Sequence, residues 1–205
     1  MKGHLTAEIK CIDGVYCPAE DTDLAVTLAT REIRACPDHS LKVAEIGTGS
    51  GAIGISAAME QNVSEVLMSD INESAIRCAE ANAKLNGVYE KCSFAESDLF
   101  KEISGKFDMI IFNPPYLPDD NDVKSGKNEW SGGPTGIELT ELFLKAAKMH
   151  LNPHGTIITV ASSFADMKEL KNFIKENSLR IKDHESVHIF FEDITALAIE
   201  VQSSV

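Results

Sequence analysis

Leu41-Lys42-Val43-Ala44-Glu45-Ile46-Gly47-Thr48-Gly49-Ser50-Gly51 decides the fold: an apolar run of strand length takes up a carboxylate near its end and breaks into three alternate glycines. The glycines let the backbone turn sharply and come close to a ligand before a helical pattern begins at 52–60. Outward from this point, strand-like runs at 65–69, 91–95, 107–112 and 156–161 alternate with helical patterns at 73–86, 136–150 and 164–177. Such alternation predicts a mostly parallel sheet with helices on both faces. Leu139, Leu142, Phe143, Ala146 and Ala147 give one apolar helix face, and Met167, Leu170 and Ile174 another. A helix over 22–35, with Leu24 and Leu28 one turn apart, precedes the first strand. At the far end, 179–188 and 194–201 read as adjacent strands turning at Glu192-Asp193, so a seven-stranded sheet is expected to close in an antiparallel hairpin.

In an open α/β sheet, ligands bind beyond the carboxyl ends of the strands, and polar residues of this chain gather there. Asp70 ends the second run, where it would accept both hydroxyls of a ribose, with Ile71 next to it. Asp98 follows the third run beside Leu99; it suits an adenine amino group and serves equally well as a helix N-cap. Gly49-x-Gly51-x-x-Gly54 also satisfies the dinucleotide fingerprint, which keeps a nicotinamide dehydrogenase open as a reading. Glu45, just before Gly47 and Thr48, weighs toward S-adenosylmethionine, because a carboxylate attracts an amino-acid ammonium and repels a pyrophosphate.

Asn113-Pro114-Pro115-Tyr116, after the run at 107–112, adds a second reason. The lone pair of an amide or ring-attached NH2 is delocalised, so methylating it requires both N–H bonds to be held while the lone pair is turned toward the electrophile. The Asn113 side-chain oxygen and the Pro114 carbonyl can each accept one N–H, the second aimed outward because a residue before proline is extended. Tyr116 offers an aromatic face to a planar group. A glutamine amide and a nucleic-acid base amino group both answer this description. The balance of 19 Lys+Arg against 32 Asp+Glu, a formal charge of −13, repels polyphosphate and points to a neutral or basic protein partner.

The five cysteines (Cys11, Cys17, Cys36, Cys78, Cys92) form no CxxC pair, which predicts reduced thiols rather than a disulfide or zinc framework. His184-Glu185-Ser186-Val187-His188 has the form HExxH, but it lies in a strand pattern, where residues four apart stand ~13 Å from each other, so no metal is expected. Neither an export signal nor a membrane-spanning stretch is legible, so a cytoplasmic protein is expected. The acidic, glycine-rich loop 117–134 holds Trp130, a loop anchor or a substrate contact.

With these motifs the chain resembles the class I S-adenosylmethionine methyltransferases of Rossmann-like fold. Within them it is similar to the HemK-like glutamine-N5 methyltransferases of peptide chain release factors. Pro18-Ala19-Glu20-Asp21-Thr22 and Trp130-Ser131-Gly132-Gly133 extend the likeness over nearly the whole chain, and these features look close to the short archaeal and eukaryotic branch. The resemblance implies one methyltransferase domain over 1–205, with a helical extension over 1–40 packed on it. It implies that Thr22 lies beside the methionine part of the cofactor, even if Asp21-Thr22 also caps a helix, and that Asn113 and Pro114 hold a glutamine amide. It further implies a release factor as substrate and a small zinc-binding activator as partner, for which the third strand at the sheet margin, with Cys92 and Phe94 on one face, offers an edge.

Overall fold

The glycine-closed run is strand β1 (Leu41–Ile46) in a computed structural model described for residues 6–118 and 132–202. Around it the chain forms α1 (Glu20–Ala35), α2 (Ala52–Ala58), β2 (Val63–Asp70), α3 (Glu73–Leu85), β3 (Cys92–Glu96) and β4 (Phe107–Phe112). Then follow α4 (Glu138–His150), β5 (Leu151–Ser162), α5 (Met167–Glu176), β6 (Leu179–Ile189) and β7 (Glu192–Val201). The seven strands make one sheet in the order β3-β2-β1-β4-β5-β7-β6. β1 pairs in parallel with β2 on one side and β4 on the other, so the winding reverses at β1 and opens a crevice beyond its carboxyl end.

Strand periodicity divides the core. Val43 of β1 points into one layer with Leu28 and Ile33 of α1, Ile55 of α2 and Ala79 of α3. Ala44 and Ile46 point into the other with Phe143 and Leu144 of α4 and Leu170 and Ile174 of α5. Arg31 ties α1 to β6 through Asp183 and Glu185, both at 2.7 Å; these pairs are exposed and hold register more than they add stability.

Several local expectations need correction. The hairpin turns at Phe190-Phe191; Glu192 and Asp193 already pair with Ile189 and His188 in the ladder. In α4 the buried face is Thr140, Phe143, Leu144 and Ala147, which leaves Leu142 57% exposed. That set follows the i, i+3, i+4, i+7 spacing of one helix face, with Leu144 in the place expected of Leu142. β5 starts at Leu151, earlier than expected, because a register shift between Phe107 and Met109 of β4 absorbs the polar residues that open it. α1 starts at Glu20 with Ala19 at its N-cap, so Asp21 and Thr22 lie inside the first turn.

The expectation of reduced thiols throughout fails at one pair. Cys11 and Cys17 are disulfide-bonded, their Cα atoms 5.5 Å apart. A turn in which the Val15 N–H donates to the Ile12 carbonyl folds the short segment back on itself and brings the sulfurs into range. Cys36, Cys78 and Cys92 are free. The HExxH segment does lie in β6, with His184 and His188 on its exposed face, and no metal-holding cluster occurs among the described residues.

Candidate active site

A cavity of about 970 Å³ opens at the switch point, and it gathers residues from six separate places in the sequence. Thr22, Glu45, Gly47, Thr48, Gly49, Asp70, Ile71, Asp98, Leu99, Asn113, Pro114, Pro115 and Tyr116 all line it. Gly51 does not; it stands behind the wall at the N-cap of α2, with φ 85°. Trp130 lies outside the described residues.

The glycine loop passes so close to β4 that a Cβ on Gly47 would sit 2.7 Å from the Phe112 ring, and Gly47 has φ 64° as well. Only glycine meets both conditions. Below the loop, the Glu45 carboxylate accepts the Thr48 hydroxyl at 2.5 Å and the Gly54 N–H at 2.9 Å, pinning the loop to the first turn of α2. Glu45 is 2% exposed, and burial pushes its carboxyl up to about 8, against the pull of the Thr48 and Gly54 donors and with the Asp70 charge adding to the rise. The buried charge therefore costs stability as it forms. In the unfolded chain Glu45 ionises near 4.5 but in the native state only near 8, so the stability contributed by the bound proton is complete below about 4.5 and lost as pH rises through about 8. Glu45→Gln removes this titration. We expect wild type to lose melting temperature relative to Glu45→Gln between about pH 5 and about pH 9, read by thermal scans; parallel pH profiles would contradict the assignment.

Asp70 closes β2 with Oδ2 accepting the Gly49 N–H and Oδ1 the Asn72 N–H, each at 2.9 Å. These bonds fix the carboxylate beside the loop and leave it lone pairs for a ligand. Ile71, 68% exposed on the same wall, offers an apolar face to whatever enters. Asp98 is not a helix cap: no helix begins at Leu99, and the side chain pairs with Lys101 at 2.6 Å. Leu99 takes φ 51°, an unfavourable value for a branched side chain, and its carbonyl accepts the Ser97 hydroxyl.

Across the cavity lies Asp21, 3% exposed, which the sequence alone suggests only as part of a helix cap. Its Oδ1 accepts the Tyr16 hydroxyl at 2.8 Å and the Thr22 N–H at 2.6 Å; its Oδ2 accepts the Asn113 Nδ2 at 2.8 Å. A carboxylate can only accept, so it fixes which end of the Asn113 amide faces it. The Asn113 Oδ1 must point the other way; it is buried and has no hydrogen-bond partner among the described residues. Burial, and then the Asp21 charge, raise both the Tyr16 and the Tyr116 phenols above the ordinary range, so both remain donors. The disulfide loop adds Gly14, Tyr16 and Cys17 to the wall, a contribution with no recognisable sequence signature. At the described end of the long loop, the Gly132 N–H donates to the Leu117 carbonyl at 2.9 Å, and a Cβ on Gly132 would approach the Pro115 carbonyl to 2.7 Å.

The family model for the methyltransferase small domain matches residues 6–190. A Methanocaldococcus jannaschii protein named "Putative protein N5-glutamine methyltransferase" is 34% identical over 93% of this chain and 93% of its own length. The release factor glutamine methyltransferase of Fusobacterium nucleatum is 39% identical over 84% of this chain and 50% of its own length, and that of Moorella thermoacetica 29% identical over 77% and 59%. The chain thus spans about half to three-fifths of these bacterial relatives. Among solved structures, the ribosomal protein L11 methylase of Lactobacillus delbrueckii subsp. bulgaricus superposes with a TM-score of 0.70 at 24% identity, over 95% of this chain and 86% of that one, and shares its fold.

Proposed function

Because the chain belongs to the methyltransferase small domain family, we propose that it transfers a methyl group from S-adenosylmethionine to the side-chain amide nitrogen of a glutamine in a translation release factor. The observation that carries this reading is the Asn113 oxygen: buried, unpaired among the described residues, fixed in orientation by Asp21 and set in the wall of the cavity. An acceptor that is desolvated without a partner costs free energy, and a ligand N–H would recover it. The names of the relatives supply the class of amide.

The residues present fit the methyl donor. Asp70 would take the ribose hydroxyls and Asp98 the adenine amino group, with Ile71 and Leu99 against the ring. Glu45, under the backbone of Gly47, Thr48 and Gly49, would meet the ammonium, whose positive charge would draw off the proton that burial otherwise holds on the carboxyl, and Thr22 would lie beside the methionine part. Bound there, S-adenosylmethionine supplies an electrophilic methyl group on a sulfonium. The chain's own contribution is positioning and charge. Asn113 Oδ1 accepts one amide N–H, the Pro114 carbonyl accepts the other, and Pro115 and Tyr116 wall the planar group, so the nitrogen lone pair faces the methyl. The nitrogen gains the methyl as the methyl–sulfur bond breaks, its electron pair staying on the sulfur of the neutral thioether product, and then gives one proton to water; N-alkylation makes that proton acidic enough that no strong base is needed.

In this reading 1–205 works as one domain with the segment before β1 packed on it, and the margin strand β3 is where a small zinc-binding activator would add a strand. A release-factor substrate places the reaction in the cytoplasm. Among the described residues no helix is long and apolar enough to cross a membrane. Incubation of the chain with S-adenosylmethionine and a release factor, followed by site-mapped mass spectrometry, tests the proposal. One added methyl on a glutamine side chain supports it; modification of another residue type, or none, contradicts it.

A further inference from the structure

The hairpin joining β6 to β7 ends in a feature that neither the fold nor the proposed chemistry uses. Phe190 is 88% exposed and Phe191 90%, and Phe190 has φ 54°, a conformation that glycine or asparagine would adopt with less strain. A two-residue turn calls for polar residues, and two rings this exposed gain almost nothing from burial, so the fold itself does not account for them. The strand register fixes where the tip lies. β7 runs antiparallel to β5 with Ser162 opposite Ile194, so the turn projects beyond the carboxyl ends of the parallel strands, at the end of the sheet that holds the cavity.

Phe164, 54% exposed, stands at the same end directly after β5, where the Ser163 N–H donates to the Asp193 carbonyl at 2.8 Å and braces the hairpin. The surroundings are acidic. Glu192 follows the two rings, and its Oε1 is buried without a hydrogen-bond partner among the described residues. Its charge, with that of Glu20 on the first turn of α1, reaches the phenol of Tyr116. Exposed rings followed in sequence by Glu192 and Asp193, the latter paired with His188 at 2.7 Å, on a chain of net charge −13, are complementary to an apolar segment flanked by lysine or arginine.

We infer that Phe190, Phe191 and Phe164, with Glu192, form the docking surface for a basic segment of the acceptor protein outside its methylated loop. The inference rests on the proposed function. It assigns recognition of the protein body to the hairpin tip and recognition of the amide to Asn113 and Pro114.

The test is the double variant Phe190→Ser/Phe191→Ser, assayed with an intact release factor and with a short peptide carrying the same glutamine and its immediate neighbours. We expect KM for the intact factor to rise at least ~10-fold, with kcat, binding of S-adenosylmethionine, melting temperature and peptide methylation unchanged. Glu192→Gln should raise KM less and flatten its dependence on salt. An unchanged KM for the intact factor in both variants overturns the inference while leaving the methyltransferase reading intact. So does an equal rise for peptide and factor, which would place the rings in the site itself. Loss of a wild-type dimer, or of binding to anionic vesicles, in the double variant with KM unchanged would assign the patch to a second copy or to a membrane and reject the acceptor. Absence of transfer by wild type to either substrate would instead remove the functional reading on which the inference stands.

Discussion

Asn113→Ala is expected to reduce turnover by at least ~100-fold while leaving the fold and the affinity for S-adenosylmethionine nearly intact. The size follows from what the side chain does in the proposed transition state. As the amide nitrogen begins to bond to the methyl, positive charge spreads to its hydrogens, and the buried Asn113 oxygen accepts one of them. Alanine leaves that hydrogen without an oriented acceptor. The separation of effects follows from geometry: the Nδ2 end reaches Asp21 at 2.8 Å and no described main-chain bond depends on the side chain, so the cavity should survive its removal. Asp21→Asn gives the companion result. An amide in place of the carboxylate no longer dictates the orientation of Asn113, and misplacement of one acceptor should lower turnover by roughly 10- to 100-fold. Single-turnover kinetics would check both, and near-native turnover in Asn113→Ala would refute the amide clamp even if the protein methylates something.

Asp70→Ala should weaken binding of S-adenosylmethionine by roughly 100-fold, measured by calorimetry. Two ribose hydroxyls donating to a carboxylate make charge-assisted bonds of about 1.5 kcal/mol or more each, and every 1.4 kcal/mol is about tenfold in affinity. The variant also frees the Gly49 and Asn72 N–H groups, which loosens the loop against which the ligand lies. Asp70→Asn keeps an acceptor without the charge and should fall between the two. Undiminished affinity in Asp70→Ala would remove the residue from the ligand site. Binding of NAD in place of S-adenosylmethionine would return the dehydrogenase reading of the glycine loop.

What the sequence made legible follows from which interactions are local. β1 and β4 are readable to the residue because each is a mainly apolar run, broken only by Lys42 and Glu45 in one and Asp108 in the other, and ended at once by a glycine or an Asn-Pro, so the signals are local to the strand. The start of β5 was not, because Asn152-Pro153-His154 carries no strand signal and owes its place in the ladder to a register shift on β4. Leu142 and Leu144 are two apolar residues on one helix, and only the packing against β4 and β5 decides between them. The hairpin turn was misplaced because turn chemistry favours Glu192-Asp193 over two phenylalanines. The site divides the same way. Glu45, Asp70, Asp98 and Asn113 announce themselves by ending strands, whereas Asp21 acts through a contact 92 residues away and reads locally as an ordinary acidic residue of a first helical turn. The Cys11–Cys17 bridge, with its spacing of six, matches no metal or redox pattern, and only the backbone turn between them reveals it.

The amide clamp is the central claim, and a transfer assay with labelled methyl donor tests it most directly, offering in parallel a release factor, its glutamine-to-asparagine variant, duplex DNA and RNA. Asn113 and Pro114 sit at a fixed depth in the wall, so an acceptor side chain one methylene shorter should fail to reach the methyl. The account predicts label on the release factor, none on the asparagine variant and none on either nucleic acid; efficient labelling of DNA or RNA with an unlabelled release factor would contradict it.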